Sequence, residues 1–403
     1  MPDTDETQSE RGLRWYASRE PVILLVLSTL AVLCFLGVSG LSRAFHARQE
    51  SFAQKLFQRA TRDRQSGKLE QAVKEYRAAL LYSRDNFTYE LGLAQALAAL
   101  NWQEQALNGP DKAYPYLISL RELQPDNGTV NLELARSLAR RGEADPAIRF
   151  YQNAIYSVWP ADSENERRAV RLELVEFLLK EHATTQAQAE LIAAAANLPA
   201  DPSQHLRLAN LFMEAQDYEH AQAQYQEAAR LDRNSAQALA GAGQAAFKLG
   251  RYASARDFLR EAIQINPNDS VSAELFKTTS LVLTLDPFRR RLSVRRRREV
   301  VVEALAAAGQ RLKACAPAEQ PAPATGETTA PSLQSQWQEM KSRFSRMELQ
   351  RNPDLVDEAM NLVFDIEQKA SDSGHTARRE CGAPAGTDLA LLLISKLHEG
   401  MEK

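Results

Sequence analysis

Small residues recur about every 34 positions in the middle of this chain, and this period constrains the fold more than any other feature. The clearest copy is GRYASARDFLREAIQINPND, whose recurring members are Gly250, Tyr252, Ala255, Leu259, Ala262 and Pro267. One period earlier, the same places hold Gln216, Tyr218, Ala221, Tyr225, Ala228 and Arg233. These residue types specify helix packing and turns, and they carry no information about chemistry.

Each recurring residue type has a physical reason for its place. Ala255 and Ala262 are seven residues apart, so they lie on one face of a helix and allow a second helix to approach closely. Leu259, like Tyr225 one unit earlier, is expected to fill the space between adjacent units. Pro267 ends the second helix, because proline cannot continue it. Gly250, like Gly142 further upstream, ends the first helix, where a left-handed backbone conformation costs glycine little.

Four further copies precede these two, and the second of them carries about seven extra residues at 102–109, which predicts a longer turn between its helices. The pattern resembles the tetratricopeptide repeat, a helix–turn–helix unit of about 34 residues, although no copy has the complete first-helix signature. The resemblance implies an all-α fold, a right-handed α-solenoid of about six hairpins. Their expected bounds are 53–86, 87–127, 128–161, 168–201, 202–235 and 236–269.

An uncharged run of twenty residues at 22–41, VILLVLSTLAVLCFLGVSGL, precedes the repeats. Its length matches the roughly 20 residues that a helix needs to cross a bilayer core, so we predict a transmembrane helix between a polar tail at 1–21 and a juxtamembrane linker at 42–52. A cleaved signal peptide is the alternative, but the apolar run exceeds the usual core of about 7–15 residues. The layout resembles a signal anchor in a bacterial inner membrane, with the bulk of the chain outside the cytoplasm.

By the same resemblance, the first helices of the units line a concave groove that binds protein or peptide partners. The groove residues that this implies are Gln95, Arg136, Arg140, Glu176, Lys180, Asn210, Met213, Gln244, Phe247 and Lys248. The family's clamp for peptide C-termini is incomplete, because Leu206 stands where the clamp has lysine, although Asn210 stands at a clamp-like place. We therefore expect a mixed polar groove.

Beyond the last repeat, residues 270–315 are expected to cap the open end of the solenoid. Asp286 and Pro287 predict a helix start, as an N-cap followed by proline at the first helical position. The segment RRRLSVRRRR at 289–298 then forms a basic patch of seven arginines, Arg289, Arg290, Arg291, Arg295, Arg296, Arg297 and Arg298. The patch either pairs with acidic groups of the chain or binds anionic lipid, an acidic partner or nucleic acid. Nucleic acid is not expected, since the net charge is −3 and no aromatic residues interleave the arginines.

A proline-rich linker at 316–332 leads to a C-terminal helical region at 333–403, which either forms a small bundle or packs back onto the solenoid end. Cys315 and Cys381 lie on either side of this linker. If the domain is exported they are candidates for a disulfide, and in the cytoplasm both are reduced thiols.

The sequence contains no glycine-rich phosphate loop, serine nucleophile elbow or metal-ligand spacing, so we expect no catalytic residue, metal or cofactor. The predicted function is a single-pass, membrane-anchored scaffold that recruits protein partners in envelope assembly, secretion or maturation. Two alternatives stay open. One is an envelope enzyme or folding factor that uses the C-terminal helices with Cys315 and Cys381, and the other is a lipid-surface sensor that acts through residues 289–298.

Overall fold

The computed structural model describes residues 6–103, 111–159, 163–290, 292–315, 332–344, 352, 354–372 and 383–401. Within these residues the fold is all-α, with 17 helices and no strand. The helices are α1 (Glu6–Gln65), α2 (Leu69–Tyr82), α3 (Phe87–Gln103), α4 (Tyr114–Leu123), α5 (Gly128–Arg140), α6 (Ala144–Tyr156), α7 (Ser163–Lys180), α8 (Thr184–Ala195), α9 (Pro202–Glu214), α10 (Tyr218–Leu231), α11 (Ala236–Lys248), α12 (Tyr252–Ile265), α13 (Ser270–Leu285), α14 (Val294–Cys315), α15 (Leu333–Arg343), α16 (Leu355–Asp372) and α17 (Thr387–Met401). The chain divides into two compact units, Met1–Leu174 and Val175–Lys403.

The first unit begins with α1, a continuous helix of 60 residues. It contains the apolar run at 22–41, continues without a break through residues 42–52, and forms the first helix of the first hairpin. Ala53 of α1 is fully buried and packs with Ala79 of α2 and Tyr89 of α3. One helix therefore connects the apolar run directly to the repeats.

The apolar part of α1 is exposed along its whole length. From Val22 onward, α1 is the one helix in the described part of the chain that is long and apolar enough to cross a membrane. Its most apolar window has a mean hydropathy of 2.7, and none of that window is buried. A transmembrane anchor and a signal sequence both have these properties.

The alanines that recur in the sequence are buried where the two helices of a hairpin meet. In both units these alanines are at most 1% exposed, as seen for Ala72, Ala79, Ala147, Ala154, Ala221, Ala228, Ala255 and Ala262. Their small side chains let the helix axes approach closely, which is the role that the spacing predicts.

A left-handed residue ends the first helix of five hairpins. It is glycine at Gly67, Gly142 and Gly250, with φ between 70° and 78°, so the prediction for Gly142 and Gly250 is confirmed. His182 and Gln216 hold the same place in two other hairpins, with φ of 58° and 59°. A side chain in this conformation costs roughly 1–2 kcal/mol. The turn therefore keeps its shape where the sequence offers no glycine.

The second hairpin, formed by α3 and α4, is the one for which a longer turn is predicted. Most of its extra residues fall at 104–110, outside the described residues. After them, the Asp111 carboxylate accepts hydrogen bonds from the backbone N–H of Ala113 and from the side-chain amide of Asn101, both at 3.0 Å. These bonds connect the end of α3 to the start of α4.

One junction between successive hairpins in each unit has a tyrosine ring against a glycine. Tyr76 of α2 lies against Gly92 of α3, and Tyr225 of α10 lies against Gly241 of α11. A Cβ atom added to Gly241 would lie 2.3 Å from Cε1 of Tyr225, which is closer than such atoms approach. The prediction that Tyr225 fills the space between units is confirmed. Leu259 lies instead against Gly243 in the first helix of its own hairpin.

The helices after the last repeat pack onto it in one apolar core. Tyr252 of α12 and Val282 of α13 are buried together with residues of every C-terminal helix, including Val301 of α14, Trp337 of α15, Val363 of α16 and Ile394 of α17. Of the two arrangements that the sequence leaves open, the structure shows the C-terminal region packed back onto the end of the repeats.

The helix start predicted at Asp286 is wrong. The Asp286 side chain accepts a hydrogen bond from the backbone N–H of Phe288 at 2.9 Å, which closes a turn after α13. The next helix begins at Val294, and the Ser293 hydroxyl accepts from the backbone N–H of Arg296 at 3.2 Å. A short side chain that can cap a helix can equally close a turn, so the Asp-Pro pair alone does not fix a helix start.

Candidate binding groove

In the first unit, charged residues of the predicted groove form an intramolecular cluster. Arg136 of α5 donates to both carboxylate oxygens of Glu173 in α7, at 2.8 Å from Nε and 2.7 Å from Nη2. Its Nη1 donates to Glu133 at 3.1 Å, and the Tyr151 hydroxyl of α6 donates to Glu173 at 3.0 Å. Arg136 therefore links α5 to α7, and the cluster as a whole joins α5, α6 and α7.

Burial and neighbouring charges shift the pKa values in this cluster. Burial raises the pKa of Glu133 above its usual range, and Arg136 and Arg140 offset part of that effect. The hydrogen bond to Glu173 raises the pKa of Arg136. Burial and the nearby Glu173 carboxylate raise the pKa of Tyr151. At neutral pH the cluster thus has a charged arginine and a neutral tyrosine.

The other two predicted groove residues of this unit are half-buried. Arg140 lies one turn after Arg136, and its Nη2 is buried without a hydrogen-bond partner among the described residues. Gln95 lies in α3. Neither residue lines the cleft around residues 124–127 and Val158 in this unit.

In the second unit, Glu176 of α7 is paired with Arg207 of α9, whose Nη2 donates to a carboxylate oxygen at 2.7 Å. The two side chains are 50% and 57% exposed. A pair this exposed contributes at most about 1 kcal/mol, because water competes for both charges. Glu176 therefore contributes less to the stability of the fold than Arg136.

A cleft of about 340 Å³ opens between α9 and α11 at the predicted groove. Its lining includes two residues of the predicted set, Asn210 and Gln244. The complete lining is Asn210, Tyr225, Ala236, Gln237, Ala240, Gly241, Gln244, Asn266 and Asp269. All of these residues belong to the second unit.

Most of the polar groups in this cleft are amides. The Tyr225 hydroxyl donates to the Asn210 carbonyl oxygen at 2.5 Å, which orients the Asn210 side chain. Gln237 and Gln244 form no side-chain hydrogen bond with any described residue. Each amide offers two N–H donors and a carbonyl acceptor to a ligand.

One carboxylate borders the cleft. Asp269 caps α13, and its oxygens accept from the backbone N–H groups of Val271 and Ser272 and from the Ser272 hydroxyl. The bonds from Ser272 lower the pKa of Asp269 below its usual value, so it is negatively charged at neutral pH. No lysine, arginine or histidine is among the described lining residues.

The remaining predicted groove residues lie outside this cleft. Lys180 and Lys248 are exposed at the ends of α7 and α11, and Met213 is half-buried in α9. Phe247 packs against the C-terminal apolar core, and its ring meets that of Tyr252 edge-on at 5.4 Å. The structure thus places Phe247 in the packing between the last hairpin and the C-terminal helices.

Sequence reasoning missed three polar residues of the cleft, Gln237, Asn266 and Asp269. A signal was available for Gln237, because it lies seven residues before Gln244 and hence on the same helical face. Asn266 and Asp269 lie at the boundary between units, and the resemblance assigns groove residues only to first helices.

The basic patch is largely paired with nearby groups. Arg289 Nη1 donates to the Leu283 carbonyl at 2.6 Å, and Arg297 Nε donates to the Pro287 carbonyl at 3.1 Å. The first of these bonds satisfies a carbonyl in the last turn of α13. These contacts support the structural interpretation of the patch.

Two further arginines of the patch form ion pairs along α14. Arg295 and Arg296 contact Glu299 at 3.1 and 3.3 Å. Arg290 and Arg298 have no ion pair among the described residues, and Arg291 lies outside them.

The structure bears on two of the three cysteines. Cys315 ends α14 and is disulfide-bonded, while its predicted partner Cys381 lies outside the described residues, so their pairing stays a prediction. Cys34 is a free, exposed thiol in the apolar part of α1. Within the described residues, no group of three or more His, Cys, Asp or Glu side chains is placed to hold a metal ion.

Comparisons with known proteins concern the repeats. Residues 206–270 match the family model for the tetratricopeptide repeat. A search of curated proteins finds no match.

Several solved structures are similar to parts of the chain. YrrB, described as a TPR protein with an unusual peptide-binding site, is 16% identical, with 49% of this chain and 95% of that chain covered and a TM-score of 0.38. PilW, described as a type IV pilus biogenesis factor, is 18% identical, with 57% and 98% covered and a TM-score of 0.38. The TPR2AB domain of yeast Sti1 in complex with pHSP90 is 17% identical, with 57% and 99% covered and a TM-score of 0.23. At these sequence identities and TM-scores, we draw no conclusion about the ligands of this chain from those proteins.

The family assignment rests on the chain's own features. The sequence match over 206–270 coincides with hairpins α9/α10 and α11/α12. The hairpins before them have the same buried alanines, and three of the five left-handed turn residues precede residue 206. Residues 206–270 are therefore a tetratricopeptide-repeat segment, and the hairpins before it have the same packing features.

Proposed function

We propose that this chain is a single-pass membrane scaffold that binds an extended segment of a partner protein in the cleft between α9 and α11. The observation that carries the proposal is the set of amides, Asn210, Gln237 and Gln244, around a space of about 340 Å³. Two of these amides are unpaired in the structure, so they are available to a ligand.

The spacing of the amides fits a peptide backbone. Gln237 and Gln244 are two helical turns apart, which is about 10 Å along α11. An extended peptide rises about 3.3 Å per residue, so the two amides match backbone groups about three residues apart. Backbone N–H and C=O groups are the natural partners of a side chain that both donates and accepts.

The charge of the cleft selects against a free peptide C-terminus. Asp269 is the charged group in its lining, and a carboxylate ligand there would meet a like charge without a neighbouring cation. The partner segment therefore presents neither a free carboxyl terminus nor an acidic side chain to the cleft.

The membrane part of the proposal rests on α1. Its apolar run is fully exposed and leads without a break into the first repeat, so insertion of α1 would hold the repeats next to the bilayer. The layout, an apolar run followed by the repeats, resembles a signal anchor and favours a periplasmic location for the repeats in a bacterial inner membrane. A tethered scaffold of this kind suits envelope assembly, secretion or maturation, and we propose no catalytic role for it.

The test is selection of binding peptides by the full chain in lipid nanodiscs from a random-sequence peptide library. The selected peptides are then measured against the double variant Gln237→Ala/Gln244→Ala. We expect a loss of affinity of tenfold or more, because two hydrogen bonds at about 1 kcal/mol each are removed.

The matched control is Gln226→Ala, which removes an exposed amide from α10, away from the cleft lining. We expect its affinity to equal that of the wild type. Peptides that bind the double variant as tightly as the wild type would refute the cleft as the binding site.

A further inference from the structure

The first unit carries an apolar edge. Of its described residues from 53 to 174, the large apolar side chains that are exposed are Leu81, Tyr82, Leu123, Tyr156 and Val158. Leu81, Leu123, Tyr156 and Val158 are 65–79% exposed. Exposed apolar residues scattered over a surface need no explanation, but these five are not scattered.

Four of the five lie at the C-terminal ends of second helices, and Val158 follows α6 by two residues. Leu81 and Tyr82 end α2, Leu123 ends α4, and Tyr156 ends α6. Val158 is held beside the start of α5 by backbone hydrogen bonds with Asp126 and Gly128. Because the helices of each hairpin run antiparallel, these ends share one edge of the unit with the N-terminal ends of the first helices.

The apolar run of α1 extends from this same edge. Just before the first hairpin, the Phe52 ring of α1 meets the Tyr82 ring edge-on at 5.0 Å. Two residues earlier in α1, Glu50 accepts a hydrogen bond from the Ser83 hydroxyl at 3.4 Å. The edge with the exposed apolar side chains is therefore the one that faces the segment proposed to cross the membrane.

We propose that Leu123, Tyr156 and Val158 form a membrane-resting edge, which inserts into the interfacial layer of the bilayer that anchors α1. The inference depends on the proposed anchor and adds to it a second, peripheral contact with lipid. Tyrosine is suited to this place, since its ring is apolar and its hydroxyl remains hydrated.

The dimensions permit this contact. From the end of the apolar run at residue 41 to Glu50 is about 13 Å along the helix, whereas the interfacial layer is roughly 6 Å thick on each side. Contacts run from α1 to α3, from α3 to α5 and from α5 to α6, so α6 lies about 25 Å to the side at some 8–10 Å per helix. A tilt of about 20°, which is ordinary for a single span, lowers that side by about 9 Å and brings Tyr156 into the layer.

The charges of the edge indicate which lipid is required. Arg84, Asp85, Glu122 and Asp126 lie beside the apolar side chains and mix both signs. No excess of positive charge would draw the edge to anionic headgroups. The contact is therefore apolar in origin, and zwitterionic lipid suffices.

The test uses nitroxide labels on the full chain in phosphatidylcholine vesicles. One label replaces Tyr156 as Tyr156→Cys in a Cys34→Ser background, and its matched control is Asp145→Cys, an exposed site at the other end of α6, about 16 Å away. A third sample carries the label on the native Cys34 thiol inside the apolar run. Each label's accessibility to oxygen, which concentrates in lipid, is compared with its accessibility to a water-soluble nickel chelate.

We expect the ratio of oxygen to nickel accessibility to be several-fold higher at residue 156 than at residue 145, and highest at residue 34. Equal ratios at 156 and 145, with residue 34 in lipid, would overturn the membrane-resting edge and leave the anchor intact. An aqueous environment at residue 34 would overturn the anchor together with this proposal. Peptide binding in the cleft is measured separately, so its failure is distinguishable from both results.

Discussion

Two junctions between hairpins solve the same packing problem with different chemistry. In the second unit, the Tyr225 ring lies against Gly241, and the tyrosine hydroxyl is bonded to Asn210. In the first unit, Tyr151 has the equivalent place in its hairpin, but its hydroxyl meets Glu173 of the next hairpin. That carboxylate then requires Arg136 to balance its charge.

The difference bears on which part of the groove is open to a ligand. At the glycine junction, where Tyr225 meets Gly241, the tyrosine hydroxyl needs only the Asn210 amide as a partner. Gln237 and Gln244 therefore remain free to face the cleft. At the charged junction, where Tyr151 meets Glu173, Arg136 is already bonded to Glu133 and Glu173. At this repeat position the tyrosine ring needs space and its hydroxyl needs a hydrogen-bond partner. The residues that meet these two needs are no longer available to bind a ligand.

Gly241→Ala should cause the largest loss of stability at the glycine junction. The added Cβ would lie 2.3 Å from the Tyr225 ring, so α10 and α11 must separate, at a cost of about 3 kcal/mol. Hydrogen exchange of α11 amides in the detergent-solubilised chain should report faster opening. The double variant Gly241→Ala/Tyr225→Leu should recover much of the loss, and an additive double variant would argue against the contact.

Arg136→Met should cost about 2 kcal/mol, because it leaves Glu133 and Glu173 half-buried without their cation. Hydrogen exchange in α5 and α7 measures this loss. The control is Arg207→Met, which removes an exposed pair and should change stability by less than about 1 kcal/mol. Equal effects of the two substitutions would show that the charged junction is no more buried than an ordinary surface pair.

Glu367 extends the comparison to a buried carboxylate without a bonded arginine. Its side chain in α16 has no exposed surface, and neither carboxylate oxygen has a hydrogen-bond partner among the described residues. Burial, with a contribution from Asp388, raises its pKa to about 7, and Arg311 opposes the shift. The folded pKa is above the unfolded value, so the contribution of Glu367 to stability is largest below about pH 4.5 and is lost as pH rises through about 7.

We therefore expect Glu367→Gln to flatten this pH dependence. At pH 8 the variant should be more stable than the wild type by about 1 kcal/mol, less than the full shift implies, because the new amide also lacks partners. Hydrogen exchange in α16 at pH 5 and pH 8, corrected for the intrinsic rate, makes the measurement. A wild type that is equally stable at both values would contradict the assignment.

Gln216→Gly should give the smallest effect, a gain of about 0.5–1 kcal/mol, because Gln216 has φ of 59° and glycine adopts that conformation without a side-chain clash. The reverse change in the first unit, Gly142→Gln, should lose a similar amount, since nothing lies within 4 Å of a Cβ at Gly142. Urea unfolding of α9/α10 and α5/α6, followed by hydrogen exchange, tests the pair. If the two substitutions change the free energy of unfolding in opposite directions, the effect is purely conformational. A change in the same direction would refute this explanation.

The sequence was sufficient for the features that a local rule determines. Alanines seven apart, such as Ala255 and Ala262, require a close helix pair, and Gly250 requires a left-handed turn. The continuity of α1 through residues 42–52 was not predicted, because a polar segment after an apolar run is compatible with either a helix or a linker.

The groove itself was predictable only in part. Asn210 and Gln244 follow from the position of first helices, whereas Asp269 enters the cleft from a boundary between units. The position of Arg136 was predicted but its pairing with Glu173 was not, since the two residues are 37 positions apart and belong to different hairpins. Phe247 packs on helices that follow the repeats, and no repeat pattern contains that information.

The most direct test of the binding account is photo-crosslinking in intact membranes, with a benzophenone amino acid placed at Gln237 of the full chain. Gln237 lines the cleft and Gln226 does not, so the same probe at Gln226 is the control. We expect protein adducts at residue 237 that a peptide selected on the wild type competes away, and none at residue 226 under the same illumination. Adducts of equal yield at both positions, or adducts at residue 237 that the selected peptide does not displace, would contradict it.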